Sequence, residues 1–514
     1  MLIPALKLKS SILNTIIKIV GENGVSVNEL DRFSYSRDAN TRSNIEAHYA
    51  HFKNFPKIIT WPKTNQQLAN LIQVAAENNI PITTFGGGSS ICGGATPTDK
   101  SLVIDTKRLN KIIRLDTDKL YVEVESGIMA LELEKYLQRH GYTLGHFPSS
   151  ILCATLGGFL ATRSAGQYSS KYGKIEDMII DLEFVDGTGT IRQTSDVSRT
   201  RGFDLTQCIV GTEGTLGIIT KAKLKIYHQP SKKIFQAYIF DNFENGIESL
   251  RRIMQTGIKP DALRLYDEYE TALVLSKISK RTVDEERLAS TMPDFFIQNL
   301  KSFKSSAFNL LFKSHRLLTQ FLSLAWTRCA LITVLEGSEK IIQPQLEIIS
   351  NVCENLNAIN IGTNIATHWH KHRYSVSFEG AKLIQDGAFV DTMEVATTWD
   401  NIDHLYHGVK RSLNPYCIVL AHVAHIYPDG AAIYFTMISP LSGLRRSVKK
   451  YDSIWQHALK AVQDYGGVLS HHHGIGRLKK DYIKKEWGEA HTLYHNLKHY
   501  FDPNKILNPG VLAN

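Results

Sequence analysis

None of the six cysteines (Cys92, Cys153, Cys208, Cys329, Cys353 and Cys417) forms a C-x-x-C pair with another. That spacing argues against structural zinc and a disulfide framework, and for reduced thiols in a cytosol-like compartment. No apolar run is long enough to cross a bilayer. In the opening MLIPALKLKSSILNTIIKIVGENG, lysines interrupt each apolar stretch before it reaches the length of a secretory signal. The final VLAN is not a peroxisomal address. Repeats and low-complexity segments are lacking, as are helix-turn-helix, zinc-finger and RNA-binding signatures, so nucleic acid is not an expected partner. What remains is ordinary globular composition: 43% hydrophobic, 21% charged, and a formal net charge of +9 that favours phosphates, carboxylates or a lipid surface. The length of 514 residues suggests roughly two to four domains.

The first ~50 residues read as a helical segment in which Ile12, Leu13, Ile16, Ile17 and Val20 share one face. FPKIITWPKTNQQLANLIQVAAENNIPITTFGGGSS then reads strand, helix, strand and glycine loop, and strands alternate with helices such as MALELEKYLQRHG to about residue 228. The class is α+β. Residues 295–335 carry no Asp or Glu; Lys301, Lys304, Lys313, Arg316 and Arg328 alternate with Phe and Leu at helical spacing. Two readings stand for this segment: a packed helix with solvated cations, or a basic amphipathic helix facing lipid.

Three clusters of small residues stand out. FGGGSSICGG follows a strand, so its backbone N–H groups can converge on an anion. It lacks the G-K-[ST] of a P-loop and the register of the dinucleotide fingerprint. PSSILCATLGGFLATRSAG and GTEGTLGIIT come about sixty residues apart from it and from each other. Singly, each is an ordinary turn. Together they suit an extended, diphosphate-bearing cofactor.

These clusters, with GHFPSS and KYGKIEDMIIDLEFV, resemble the FAD-binding region of the vanillyl-alcohol oxidase (PCMH-type) flavoprotein family over nearly the whole chain. The resemblance implies an α+β fold in which a PCMH-type domain of two α+β subdomains holds FAD and an α/β cap covers its ring. The expected division is an N-terminal helical segment at 1–50, the FAD-binding domain at 51–228, the cap or substrate domain at 229–450, and a C-terminal helical segment at 451–514 returning to the flavin. The implied flavin contacts are Thr84, Phe85, Gly86, Gly87, Gly88, Ser89 and Ser90; Ser149, Ser150, Ile151, Leu152, Cys153, Ala154 and Thr155; Ala161, Thr162, Arg163 and Ser164; and Gly211, Thr212, Glu213, Gly214, Thr215, Leu216 and Gly217. The glycine loop has no histidine to tether the flavin, so non-covalent FAD is expected.

The tract GGVLSHHHGIGRLKK separates two branches of the family. D-lactate and glycolate dehydrogenases carry GEHGIG there, and several hold a metal with two histidines and that glutamate. In this chain His472 replaces the glutamate, His422 stands at the first ligand position and Tyr434 at the second, so no metal is expected. LSHHHGIG, GHFPSS, the IYF around Tyr434 and Arg264 in DALRLYD are similar to the alkyldihydroxyacetonephosphate synthase branch, which makes ether lipids. That likeness implies Tyr434 and His472 as acid/base residues, with His471, His473 and Arg264 holding substrate. It also implies a transferase reaction: the acyl group of an acylated ketone phosphate leaves as carboxylate, flavin N5 holds the remaining carbon, and a long-chain alcohol attacks it. The alternative is an FAD-dependent D-2-hydroxyacid dehydrogenase or oxidase. In an extended backbone His471 and His473 would share one face and His472 the other.

One departure matters. The synthases have a substrate-contacting arginine where alignment on DTMEVATTWD puts Gly380, so Arg373 in HWHKHR is the expected replacement cation. Expected partners are a lipid or phosphorylated ketone substrate. Cytoplasmic location is expected, with peripheral membrane contact and a homodimer left open.

Overall fold

The computed structural model describes residues 9–194, 203–277 and 327–513. Lys301, Lys304, Lys313 and Arg316 lie outside the described residues. Arg328 is described, with its Nε 3.9 Å from Asp241.

The chain forms two compact units: Met1–Gly166, Lys174–Gln229 and His472–Asn514 make the first, and Gln167–Gly173 with Pro230–His471 the second. The chain thus crosses from the second unit to the first between His471 and His472, inside the histidine tract.

In the first unit, helix Ser10–Val20 buries Ile16 and Val20 on helix Asn65–Glu77, whose own buried face is Leu68, Leu71, Ile72 and Ala75. Burying each such aliphatic side chain contributes about 1.5–3 kcal/mol. Thr64 caps that second helix by accepting from the Gln67 N–H. Strands Ile58–Thr60 and Ile82–Phe85 flank Leu102–Asp105 in parallel. The chain's end closes this sheet, where the Ile82 N–H donates to the Ile506 carbonyl at 2.7 Å. A second sheet of five strands is antiparallel, with Tyr121–Glu125 and Ile179–Val185 on either side of Ile218–Lys225.

The second unit is built on a seven-stranded sheet. Its order is Ile359–Gly362, Lys232–Phe240, Cys329–Gly337, Ala262–Tyr266, Ile418–Ile426, Gly430–Pro440, Ala388–Thr398, with antiparallel pairing throughout. Helices Ile402–Leu413 and Leu444–Asp464 pack on each other, and Tyr451 and Trp455 of the second donate to buried Asp391 of strand Ala388–Thr398. The expected helical reading of 295–335 is corrected at its end. CALITVLEG is a central strand with eight consecutive buried residues, because a strand covered on both faces reads as a continuous apolar run without alternation.

A buried charge network fixes the strand ends. Lys410 Nζ donates to Asp267 at 3.0 Å, Glu268 at 2.9 Å and the Tyr406 hydroxyl at 2.8 Å, while Asp267 also accepts from the Ala421 N–H. No described helix is long and apolar enough to cross a membrane, and all six cysteines are free.

Candidate active site

In the first unit three distant segments meet around the triple glycine. A Cβ on Gly86 would overlap Thr155 Oγ1, and one on Gly87 would overlap the Cys153 carbonyl. Gly88 has φ +65°, a conformation that glycine takes without strain. Gly214 approaches Thr84, whose buried Oγ1 has no hydrogen-bond partner among the described residues. Loops this close, with small residues and an unspent hydroxyl at their junction, fit a phosphate-bearing cofactor held chiefly by backbone N–H groups.

Several expected side-chain donors are used by the fold itself. Arg163, in the left-handed region, donates to the Gln207 carbonyl at 2.7 Å and to the Val210 carbonyl at 3.2 Å. The Thr212 and Thr215 hydroxyls donate to the Ile209 and Thr212 carbonyls, and Thr162 to that of Gly158. Ser90 accepts from the Gly94 N–H. Any flavin contact from these positions therefore falls mainly to main chain.

Glu213 has a structural task that its place in a glycine loop does not reveal. Buried and at φ +51°, it accepts the N–H of Ile475 at 2.7 Å and of Gly476 at 3.0 Å, clamping the segment just after the histidines. Burial pushes its carboxyl upward, and these N–H donors oppose that shift. The Arg477 N–H donates to the Cys92 carbonyl, so the same segment is tied to the glycine loop. Residues 471–473 form a bend, not the expected extended run. The His472 and His473 rings consequently meet edge to face at 4.6 Å instead of pointing opposite ways. The positive φ of Gly474 and the Glu213 clamp turn the backbone there.

Tyr434 lies in the second unit, opposite His422 in the register of two neighbouring strands, with the two rings stacked at 4.5 Å. His422 Nδ1 is 2.8 Å from Glu270, which lies 3.7 Å from the Arg264 guanidinium. The residue that meets the Tyr434 hydroxyl is His425, with Nε2 at 2.8 Å. Sequence reasoning missed it. His425 sits at a β-bulge between Ala424 and Ile426 with φ +51°, and bulges re-aim side chains in a way no spacing pattern records. Its Nδ1 is 2.7 Å from Ser169 Oγ, which also accepts from the Tyr427 hydroxyl at 3.3 Å. Tyr427 in turn is 3.1 Å from His471 Nε2. Glu394 accepts from the His471 N–H at 2.7 Å and the Ser470 hydroxyl at 2.5 Å. Burial, with Glu394 nearby, raises the Tyr434 phenol well above its ordinary range, so it is protonated near neutral pH. Burial and the Arg264 charge push His422 below the usual imidazole range.

Arg264 stands over the Tyr266 ring at 5.1 Å, and its Nε has no hydrogen-bond partner among the described residues. Arg373 is buried, with its guanidinium donating to the Tyr168 hydroxyl at 3.0 Å and the Tyr374 hydroxyl at 2.8 Å. Gly380 lies in helix Val376–Gln385, where a Cβ would make ordinary contact with Val390 at 3.5 Å. Tyr434, His471, Arg264 and Arg373 thus belong to the second unit, and His472, His473 and the expected flavin contacts to the first.

Residues 56–195 match the FAD binding domain family and residues 229–512 the family of FAD linked oxidases, C-terminal domain. The chain is similar to alkyldihydroxyacetonephosphate synthase of Dictyostelium discoideum (29% identical, covering 94% of this chain and 77% of that protein) and of Caenorhabditis elegans (28%, 98% and 85%). Glycolate oxidase subunit GlcD of Bacillus subtilis is more distant, at 24% identity over 97% of this chain and 95% of that one. A solved alkyldihydroxyacetonephosphate synthase structure superposes with a TM-score of 0.78 at 25% identity, covering 99% of this chain and 86% of that one. The glycine cradle, the α+β architecture and these likenesses agree: the chain belongs to the PCMH-type family of FAD-linked oxidases, with FAD as its cofactor.

Proposed function

We propose that this flavoprotein exchanges the acyl group of an acylated ketone phosphate for a long-chain alcohol, as an alkyldihydroxyacetonephosphate synthase-like transferase in ether-lipid synthesis. The observation that carries the reading is the setting of Tyr434. Its protonated hydroxyl is held by one imidazole, and its ring is stacked on another. That arrangement suits proton transfer, and Tyr434 occupies the position where the dehydrogenase branch is expected to place a metal-ligating histidine.

FAD, when bound, supplies an electron-accepting ring that can hold charge developing on the substrate. Tyr434 gives a proton to a substrate oxygen, and His472 removes the proton beside the ketone. Arg264, with a spare Nε donor, holds an oxyanion together with His471 and His473. Arg373 serves this anion less directly, because its guanidinium already donates to two tyrosine hydroxyls. The full-length likeness to a glycolate oxidase subunit keeps 2-hydroxyacid oxidation as the second reading.

The test is to give the holoprotein acylated dihydroxyacetone phosphate with a labelled long-chain alcohol and, separately, D-lactate without oxygen. Label should enter the ether product, and Tyr434→Phe and His472→Ala should each cut that rate about a hundredfold or more with normal flavin absorbance. Bleaching by D-lactate without ether formation would replace the transferase by the dehydrogenase.

A further inference from the structure

Tyr434 has one hydroxyl proton to give, and a catalyst must replace it at each turnover. The residues behind Tyr434 form an unbroken line: Tyr434 Oη to His425 Nε2 at 2.8 Å, His425 Nδ1 to Ser169 Oγ at 2.7 Å, Ser169 Oγ to Tyr427 Oη at 3.3 Å, and Tyr427 Oη to His471 Nε2 at 3.1 Å. All five residues belong to the second unit. Ser169 comes from a short insertion, Gln167–Gly173, that leaves the first unit to join the second, and its hydroxyl reaches His425 across 256 positions of sequence.

We propose that His425, Ser169 and Tyr427 are a proton relay joining His471 to Tyr434. The relay resupplies the phenol with the proton it gives to substrate, and so rests on the reading of Tyr434 as a proton donor. Tyr427 donates to Ser169, so the Ser169 proton is directed to His425 Nδ1 and the His425 Nε2–H to Tyr434. When the Tyr434 O–H breaks toward substrate, Tyr434 takes the Nε2 proton of His425. His425 takes one at Nδ1 from Ser169, Ser169 takes one from Tyr427, and Tyr427 takes the Nε2 proton of His471. His471 starts as imidazolium and ends as the neutral Nδ1–H tautomer, so the one proton given to substrate is matched by the one His471 loses, and no electron moves. Reversal of every donor returns a proton the other way.

The surrounding charges fit this direction. Glu394 lies beside Tyr434 in strand register and accepts the His471 backbone N–H, so a carboxylate stands at the His471 end of the line. Glu270 pairs with His422, which stacks on the Tyr434 ring, and the Arg264 charge acts on the Tyr434 phenol in the lowering direction. His425 adopts φ +51° at a bulge, and backbone strain of this kind persists where the surroundings enforce it.

His425, Ser169 and Tyr427 act through Tyr434, so they are positioning and relay residues. The experiment compares wild type, Ser169→Ala, Ser169→Thr and Tyr427→Phe holoproteins on whichever reaction, ether formation or D-lactate oxidation, wild type performs. The relay is thereby judged even if the transferase reading fails. Ser169→Ala and Tyr427→Phe should lower kcat about tenfold to hundredfold with KM and flavin content unchanged, and Ser169→Thr should recover most of the loss. The solvent isotope effect in mixed light and heavy water should be bowed for wild type, as several protons move together, and linear for the two disabled variants. Linear dependence in wild type, with Ser169→Ala at the wild-type rate, would overturn the relay. Nitrogen NMR of histidine-labelled holoprotein tests it without turnover. His425 should be the Nε2–H tautomer in wild type and a mixture in Ser169→Ala; the same tautomer in both would also overturn it.

Discussion

His146 offers a measurable consequence of burial alone. Its ring is 2% exposed, packs edge-on against Phe159 at 4.9 Å, and has no hydrogen-bond partner for either nitrogen among the described residues. Desolvation holds its pKa down at about 3, against an ordinary 6.5. Between those values the unfolded chain binds a proton that the folded protein refuses, so stability falls as pH drops from 6.5 and the loss levels off below 3. At pH 5, 1.5 units below the pKa of the unfolded imidazole, the cost to the fold is about 2 kcal/mol; at pH 4 it is about 3 kcal/mol. His146→Leu removes this titration while keeping an apolar group of similar size. Urea unfolding of both holoproteins at pH 7 and pH 5 isolates the effect, because the double difference cancels whatever the substitution does at neutral pH. Wild type should lose about 2 kcal/mol more than the variant on acidification. Equal losses would show that the ring is hydrated or partnered and that the reasoning fails.

Gly87→Val should lower the flavin-to-protein absorbance ratio sharply, because its Cβ would overlap the Cys153 carbonyl and force the two cofactor loops apart. Acid or heat should release intact FAD into solution, and flavin left on the precipitated chain would contradict non-covalent binding. Lys410→Met should cost about 3–5 kcal/mol, read as a fall in Tm, since it leaves buried Asp267 and part-buried Glu268 without their cation.

The elements legible in the sequence are those whose signal is local. The helix Ser10–Val20 and the strand, helix and strand from Ile58 to Phe85 follow from periodicity and turn residues, and the three cofactor loops from their glycines. The strand Cys329–Gly337 was obscured because burial on both faces erases alternation and leaves an apolar run that a helix also produces. Tyr434 and the histidine tract were visible as chemistry-bearing residues. His425 was not, because its role depends on a bulge, and Ser169 was not, because an ordinary serine gains its meaning from a partner 256 residues away. Glu213 looked like part of a cofactor loop but anchors the histidine segment, a distinction set by buried N–H groups that only the folded chain brings to it.

The anion-holding group is where the two kinds of signal conflict, and Gly380 decides between them. The HWHKHR run offers cations, yet Arg373 is buried against two tyrosine hydroxyls, while the His368 and His372 rings pack against each other, tilted, at 4.3 Å. Removing the Arg373 guanidinium takes a charged donor from both hydroxyls, so Arg373→Ala should cost about 1–3 kcal/mol of stability and change KM for a phosphorylated ketone little. Gly380 is different. Among the described residues a Cβ there meets Val390, at an ordinary 3.5 Å, and the site is inside a helix. Gly380→Arg should therefore be tolerated, gaining up to about 1 kcal/mol from helix propensity. If the alignment register is right, it also restores a two-pronged donor for an oxyanion and should lower KM for the phosphorylated ketone about tenfold, the effect of roughly 1.4 kcal/mol. Denaturation curves and initial rates on the two variants separate the effects. A stable Gly380→Arg protein with unchanged KM, beside an Arg373→Ala protein with a sharply raised KM, would invert the assignment and make Arg373 the anion's ligand.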